Sequence, residues 1–538
     1  MQPNNKHYQW WQKEIIYEVY VRSFMDSNGD GIGDLPGVLS KLDYLQWLGV
    51  KAIWLTPIYP SPMKDFGYDV ADYKGIHPHY GTMQDFDELL KGVHARDMKL
   101  IMDLVPNHTS NEHPWFKESS SSRDNPKRDW YIWCDAKKDG SPPNNWLAEF
   151  GDSAWEWDEH TQQYYLHSFL KAQPDLNFRN KEVQEAIFDV MRFWLDKGVD
   201  GFRVDSIAHL IKDKLLRNNP VNPAFEVYMQ ASKQFLKIFS TNQPEVHEVI
   251  HAMRDVLDAY KDRVMIGELY LSVSGIVSYY GGTNKGVQLP ANFQLITEDW
   301  KANKLAVTID KSEALLPHTG WSHWAIGNHD QTRVISRVGK RLAKVAAFLL
   351  LTLRGTPAMY YGDEIGMHNV SIPPGEMKDP QGLMEPEKNF SRDPQRTPMQ
   401  WSNKDHAGFS TGNPWLPVAS DYKEINITME QQDNQSLLML YKRLISFRQQ
   451  EPSLSTGEYF PVFANNEILV YIRQREGADR FLVVLNIGSM KGIFVQEEAA
   501  GLQGAIELAT TKRMEGSKIG KMIELEAGEG IIVRLNKS

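Results

Sequence analysis

The sequence predicts an α/β fold: a (β/α)₈ TIM barrel with a small domain inserted after its third strand and a C-terminal antiparallel β-sandwich. Three observations predict it. Eight short apolar runs of strand length lie between residues 15 and 361 with helical patterns among them. Four of these runs carry a carboxylate at or near their C-terminal ends, Asp103, Asp205, Glu268 and Asp330, where barrel sites are assembled. The alternation breaks over about residues 109–170 and gives way after residue 457 to a period of two. The expected divisions are 1–104 (barrel, first part), 105–174 (insert), 175–456 (barrel, second part) and 457–538 (sandwich).

The first strand is Ile15-Ile16-Tyr17-Glu18-Val19-Tyr20. The loop after it, Asp26-Ser27-Asn28-Gly29-Asp30-Gly31-Ile32-Gly33-Asp34, places oxygen side chains at alternate positions and glycine where the chain must turn. That is how a loop wraps a hard cation. Gly37 stands where an EF-hand would close with an acid, so this is not an EF-hand. A solvated Asx–Gly turn is the alternative. A helix over about 39–48 leads to the second strand, Ala52-Ile53-Trp54-Leu55, and a helix over 83–95 to the third, Leu100-Ile101-Met102-Asp103-Leu104-Val105. An aromatic, Pro- and Ser-rich stretch without helical period follows, too long for a simple loop. A helix over 182–197 returns to the fourth strand, which ends at Asp205.

After a long excursion (208–248) and a helix (250–260) comes the fifth strand, Val264-Met265-Ile266-Gly267-Glu268. The sixth and seventh are expected over 291–295 and 325–330, and the eighth at Thr356-Pro357-Ala358-Met359-Tyr360-Tyr361. A last helix over 436–449 closes the barrel. The tail then alternates apolar and polar residues, as in Phe481-Leu482-Val483-Val484-Leu485, which suggests a β-sandwich.

Composition narrows the partners. A formal net charge of −10 and a pI near 5.9 argue against nucleic acid or an anionic membrane. The longest apolar run, 345–353, is too short to span a bilayer and reads as a buried helix. Residues 1–11 lack the apolar core of a signal peptide. Cys134 is the only cysteine, which fits a reducing, cytoplasmic setting. Sixteen Trp and 22 Tyr supply flat faces that suit sugar rings, though large cores use them too.

Arg203 and Asp205 are two residues apart on one strand, so both point to the same side. The arginine should keep that carboxylate ionised. Glu268, facing Asp205, should hold its proton to higher pH. Two such carboxyls are the machinery of retaining glycoside hydrolysis. Asp330 can hold sugar hydroxyls, His108 and His329 are donors of suitable size, and Asp103, earlier on its strand, can orient Arg203. A single surface ion pair or buried histidine is an ordinary structural feature; the signal is the set.

The set Asp103-Leu104-Val105-Pro106-Asn107-His108, Gln173-Pro174-Asp175-Leu176-Asn177, Gly201-Phe202-Arg203-Val204-Asp205, Gly267-Glu268 and Asn328-His329-Asp330, in this order, resembles glycoside hydrolase family 13 over essentially the whole chain. The resemblance is to its α-glucosidase and oligo-1,6-glucosidase branch. It implies that Asp205 is the nucleophile, Glu268 the acid/base and Asp330 the transition-state stabiliser. It also implies a glucose pocket lined by Tyr68, Asp69, His108, Arg203 and His329, with Arg396 as a further sugar-holding arginine and Arg392 as its competitor for that role.

In similar enzymes a valine at the position of Ser206 accompanies α-1,6 cleavage and a smaller residue α-1,4. The loop resembles one that binds Ca²⁺ or Mg²⁺ structurally through Asp26, Asn28, Asp30, the Ile32 carbonyl and Asp34. No organic cofactor is implied. The expected protein is a retaining, exo-acting α-glucosidase acting on short α-1,4-glucosides, with transglucosylation as a side reaction, present as a monomer or homodimer. The alternatives are an oligo-1,6-glucosidase, a trehalose- or sucrose-directed relative and a dedicated glucosyltransferase. A partner subunit without catalysis would lack the carboxylates.

Overall fold

In a computed structural model that describes residues 8–282, 285–496 and 502–536, eight parallel strands close into a barrel. The first seven residues of the polar N-terminal stretch lie outside the described residues. The strands are β1 (Ile16–Val19), β2 (Ala52–Leu55), β3 (Lys99–Leu104), β4 (Gly201–Val204), β5 (Val264–Gly267), β6 (Leu289–Asn292), β7 (His323–Ala325) and β8 (Thr356–Tyr360). Each pairs with its sequence neighbours and β1 closes on β8. Their residues are buried almost throughout, as parallel strands covered by helices must be.

The helices between them are α1 (Leu42–Leu48), α2 (Met83–Ala95), α3 (Lys181–Lys197), α4 (Val246–Asp258), α5 (Val273–Ser278), α6 (Ala302–Leu315), α7 (Ala343–Thr352) and α8 (Leu437–Gln450). Their ends follow local chemistry. Thr82 and Asp85 form a capping box at the start of α2. Asn180 caps α3, and Gly198 ends it at φ 108°, a left-handed turn that aims the chain into β4. All ten residues of α7 except Lys344 are buried, so the apolar run is a core helix.

Two strands differ from expectation. β6 ends at Asn292, whose side-chain oxygen accepts from the Gln294 amide and starts a helical turn over Gln294–Thr297 in place of more strand. β7 stops at Ala325, and residues 326–330 form a polar loop past it.

Between β3 and α3 the chain builds a three-stranded sheet (Trp133–Cys134, Gln163–Leu166, Trp155–Asp158) and a short hairpin (Leu147–Ala148, Gly151–Ser153). After residue 457 a five-stranded antiparallel sheet faces a two-stranded one, and Val470, Val484, Phe494, Ile523 and Ile531 fill the space between them. Among the described residues no helix is long and apolar enough to cross a membrane.

Candidate active site

Barrel register puts the charged side chains together. Asp103 on β3 lies opposite Arg203 on β4. The Asp205 amide bonds to the Leu104 carbonyl (2.8 Å) and the Glu268 amide to the Val204 carbonyl (3.0 Å). Each ladder thus runs one bond past its strand and fixes a carboxylate at the rim. The Arg203 guanidinium, 3% exposed, then meets three acids. Nη1 is 2.9 Å from Asp103 Oδ1 and 2.7 Å from Asp205 Oδ1, and Nη2 is 2.8 Å from Glu268 Oε1.

This crowding sets the proton affinities. Burial raises the Glu268 carboxyl to about 8; Arg203 opposes the shift, while the negative charges of Asp205 and Asp330 add to it. Burial also lifts Asp103, to about 7, against the pull of Arg203. Asp103 takes further bonds from Trp54 Nε1 (3.3 Å) and the Tyr68 hydroxyl (3.1 Å). It stands behind Arg203 as an anchor. Ser206 sits in the left-handed region (φ 46°, ψ 37°), uncommon for a residue with a side chain. That turn aims its amide at Glu268 Oε2, 2.8 Å away.

Asp330, past β7, forms the opposite wall. Its Oδ1 accepts from Arg396 Nη2 (2.7 Å) and Arg392 Nη1 (3.2 Å). Burial alone would raise this carboxyl, but its positive surroundings hold it well below the carboxylate range. Burial keeps the neighbouring His329 imidazole neutral, so the holding charges are the guanidinium groups of Arg392, Arg396 and Arg203. His329 is fixed on both sides, with Nδ1 2.5 Å from Glu18 Oε1 and Nε2 2.8 Å from the Tyr68 hydroxyl.

The loop after β2 adds a further acid to the site. Asp65 bonds to Arg392 Nη2 (2.7 Å) and Gln173 Nε2 (3.1 Å). Gln173 Nε2 lies 3.2 Å from His108 Nε2, which is itself 3.2 Å from the Tyr68 carbonyl. Arg392 is also held by Asp379 at 2.7 Å.

Of the residues singled out from sequence, Tyr68, His108, Arg203, Asp205, Ser206, Glu268, His329, Asp330 and Arg396 converge here. Asp69 does not. It is fully buried, and its carboxylate accepts from the Ser61 hydroxyl and the amides of Lys64 and Asp65. It braces its own loop, and Asp65 is the acid of that loop turned to the site. Sequence reasoning missed Asp65 and Glu18. An acid inside an apolar barrel strand needs a buried partner, and that signal could have found Glu18.

The loop between β1 and α1 folds as successive Asx turns. Side-chain oxygens of Asp26, Asn28 and Asp30 accept from the amides of Asn28, Asp30 and Ile32, at 2.8–2.9 Å. Asp26 Oδ2 also takes the Gly31 amide and the Ser410 hydroxyl, and Asp34 the Gly37 amide and the Ser27 hydroxyl. The donor set, three carboxylates with an amide and a carbonyl oxygen, suits a hard cation. Among the described residues, though, no group of three or more His, Cys, Asp or Glu side chains converges in metal-binding geometry.

Residues 18–457 match the alpha-amylase catalytic-domain family. The chain is similar to an oligo-1,6-glucosidase of Bacillus cereus, 41% identical over 90% of this chain and 92% of the relative. It is also similar to a trehalose-6-phosphate hydrolase of Bacillus subtilis, 36% identical over 98% of each. The crystal structure of an alpha-glucosyl transfer enzyme superposes with a TM-score of 0.93 at 37% identity, covering 98% of this chain and 100% of that one.

Proposed function

The chain belongs to the alpha-amylase family and is a glycoside hydrolase, and from that premise we propose that it is a retaining, exo-acting α-glucosidase that releases glucose from short α-1,4-glucosides. In this reading Asp205 attacks the anomeric carbon while Glu268 protonates the leaving oxygen. Glu268 then takes a proton from the water that cleaves the glucosyl ester. Asp330, kept ionised, holds ring hydroxyls as positive charge develops on the sugar. The observation that carries the retaining assignment is the single Arg203 guanidinium bridging Asp205 and Glu268. A bridge that short favours the ~5–5.5 Å carboxyl spacing of retaining enzymes over the ~6.5–9.5 Å of inverting ones.

The buried Asp65–Arg392 bridge, whose arginine also reaches Asp330, ties the loops after β2 and β8 together at the site. In this reading it closes the pocket behind the bound glucose, which supports exo action. A phosphorylated substrate is disfavoured. Arg203, Arg392 and Lys212 are each already paired with buried acids, and Arg396 with the half-buried Asp330. Incubation with maltose, isomaltose, sucrose, trehalose and starch should release glucose fastest from maltose. Starch viscosity should outlast glucose release; an early fall would mean an open, endo-acting cleft.

The runner-up is α-1,6 cleavage, as in the Bacillus cereus relative. A 1,6 link inserts a methylene that displaces the leaving sugar, and branched methyls beside the nucleophile can pack on it. Serine at 206 leaves room for the 1,4 geometry. Ser206→Val should move the kcat/KM ratio toward isomaltose by roughly 10–200-fold, the worth of one or two methyl contacts. Because a β-branched residue is strained at φ 46°, the same variant should melt earlier. A wild type that prefers isomaltose, or a ratio that stays put, overturns the 1,4 assignment.

The proposal extends to a structural Ca²⁺ or Mg²⁺ held by Asp26, Asn28, Asp30, the Ile32 carbonyl and Asp34. An ion bound only by the folded state raises the melting temperature by mass action. Asp30→Ala should therefore lower it and remove its response to added Ca²⁺, with turnover little changed. If chelation leaves wild-type melting where it was, the loop is a turn held by its own amides.

A further inference from the structure

Glu18 lies within β1, level with Trp54 on β2 and Tyr360 on β8, and is 2% exposed. A carboxyl there is costly to bury unless a partner answers its charge or its proton. Its Oε1 meets His329 twice, 2.5 Å from Nδ1 and 3.3 Å from the backbone amide. The rings of Tyr20 and Tyr68 lie nearly parallel to the imidazole, with centroids 5.7 and 5.5 Å away, and hold it in place. What remains to be settled is where the protons sit.

Counting donors settles it. Tyr68 has one hydroxyl proton, and that hydroxyl bonds to Asp103 Oδ2 at 3.1 Å, while Arg203 holds Asp103 Oδ1 at 2.9 Å. With its proton given to Asp103, the Tyr68 oxygen accepts from His329 Nε2 at 2.8 Å. Nε2 also faces Asp330 Oδ2 at 3.4 Å. A bare Nε2 would set its lone pair against that carboxylate, and reversing the Tyr68 hydroxyl by protonating Asp103 would leave this contact as it is. Nε2 therefore carries hydrogen. In a neutral imidazole Nδ1 is then an acceptor, and Glu18 faces it. The same contacts would suit an imidazolium beside a Glu18 carboxylate. Burial works against a second ring proton, and so do the positive charges of Arg396, Arg203 and Arg392. Burial also lifts the Glu18 carboxyl well above the usual carboxylate range; Arg203 opposes the shift, while Asp330 and Asp103 add to it.

We propose that Glu18 is a positioning residue that stands in β1 as a neutral carboxylic acid, donating to His329 Nδ1 and so keeping the Nε2 proton turned to Asp330 and the glucosyl unit. The proposal rests on the α-glucosidase reading and deepens it, adding to the glucose pocket a buried acid that holds a proton and does not transfer it. Its effect falls on the transition state, where the grip of Asp330 on the sugar tightens.

The test pairs Glu18→Gln with Glu18→Leu. A glutamine amide can donate to Nδ1 from the same place, whereas leucine has no proton to offer. On maltose at neutral pH, kcat of Glu18→Gln should stay within about threefold of wild type. That of Glu18→Leu should fall about tenfold or more with KM little changed, the mark of an interaction made in the transition state. The infrared difference between wild type and Glu18→Gln should show the C=O band of a protonated carboxylic acid. A carboxylate band in its place, or a Glu18→Gln protein as impaired as Glu18→Leu, overturns the proposal, because Glu18 is then the anion of an imidazolium pair. So does an unimpaired Glu18→Leu. Should Glu18→Leu not fold, the infrared band and the Glu18→Gln rates still decide. If the acid band is present while the wild type releases no glucose from maltose, the α-glucosidase reading falls and the proton on Glu18 stands. If maltose is cleaved and the band is missing, the proposal alone falls.

Discussion

Asp205→Asn and Glu268→Gln should each yield a folded protein whose kcat is lower by at least ~10²–10⁴-fold, the usual loss when a nucleophile or a general acid is removed. Both substitutions keep shape and volume and delete only the ionisable oxygen, so melting temperature should move little compared with rate. The wild-type pH profile carries a second expectation. Glu268 must hold a proton to release the leaving group, and burial raises its carboxyl to about 8. Activity should therefore persist through neutrality and fall as pH rises through about 8. Initial rates on maltose between pH 5 and 10, with thermal melts of each variant, check both. Near-wild-type turnover in either variant, or a basic limb near pH 5, would remove these residues from their proposed roles.

The barrel and the strand-end carboxylates were legible because their signals are local. A parallel strand buried on both faces must be an unbroken apolar run, and an acid at its end stands out against that background. The failures also have physical reasons. Asp65 and Asp69 share one short loop, and nothing in their order says which turns inward. Three hydrogen-bond donors that the fold brings to Asp69 settle it. Likewise Arg392 and Arg396 compete for one role in sequence, whereas in the structure both reach the same oxygen of Asp330 and only Arg392 also reaches Asp65. The conformation of Ser206 was not readable, because serine has no preference for the left-handed region. It is imposed by the turn that aims its amide at Glu268. β6 stops at Asn292, short of the expected residue 295, because apolar content alone does not separate a strand from the helical turn that Asn292 initiates.

Arg203 is the residue whose loss should be felt in most ways at once. It binds the carboxyls of the proposed nucleophile and acid/base directly and positions three acids: Asp103, Asp205 and Glu268. Arg203→Met leaves these buried carboxyls without their shared cation. Removing one partner of a buried charge network typically costs ~3–5 kcal/mol, so the variant should melt clearly earlier. Arg203→Lys restores a charge but not the planar fork that reaches two carboxylates from adjacent nitrogens. Its kcat/KM should stay at least ~10²-fold below wild type even if stability recovers. The sign of the pH effect separates positioning from simple unfolding. Arg203 lowers the Glu268 carboxyl against the burial that raises it, so its removal should push that carboxyl further up. The basic limb of the residual activity of Arg203→Met should then move above 8, and free guanidinium at millimolar concentration should recover part of the rate and draw the limb back. A variant that loses activity with its pH limb unmoved and no response to guanidinium would show that Arg203 serves stability alone.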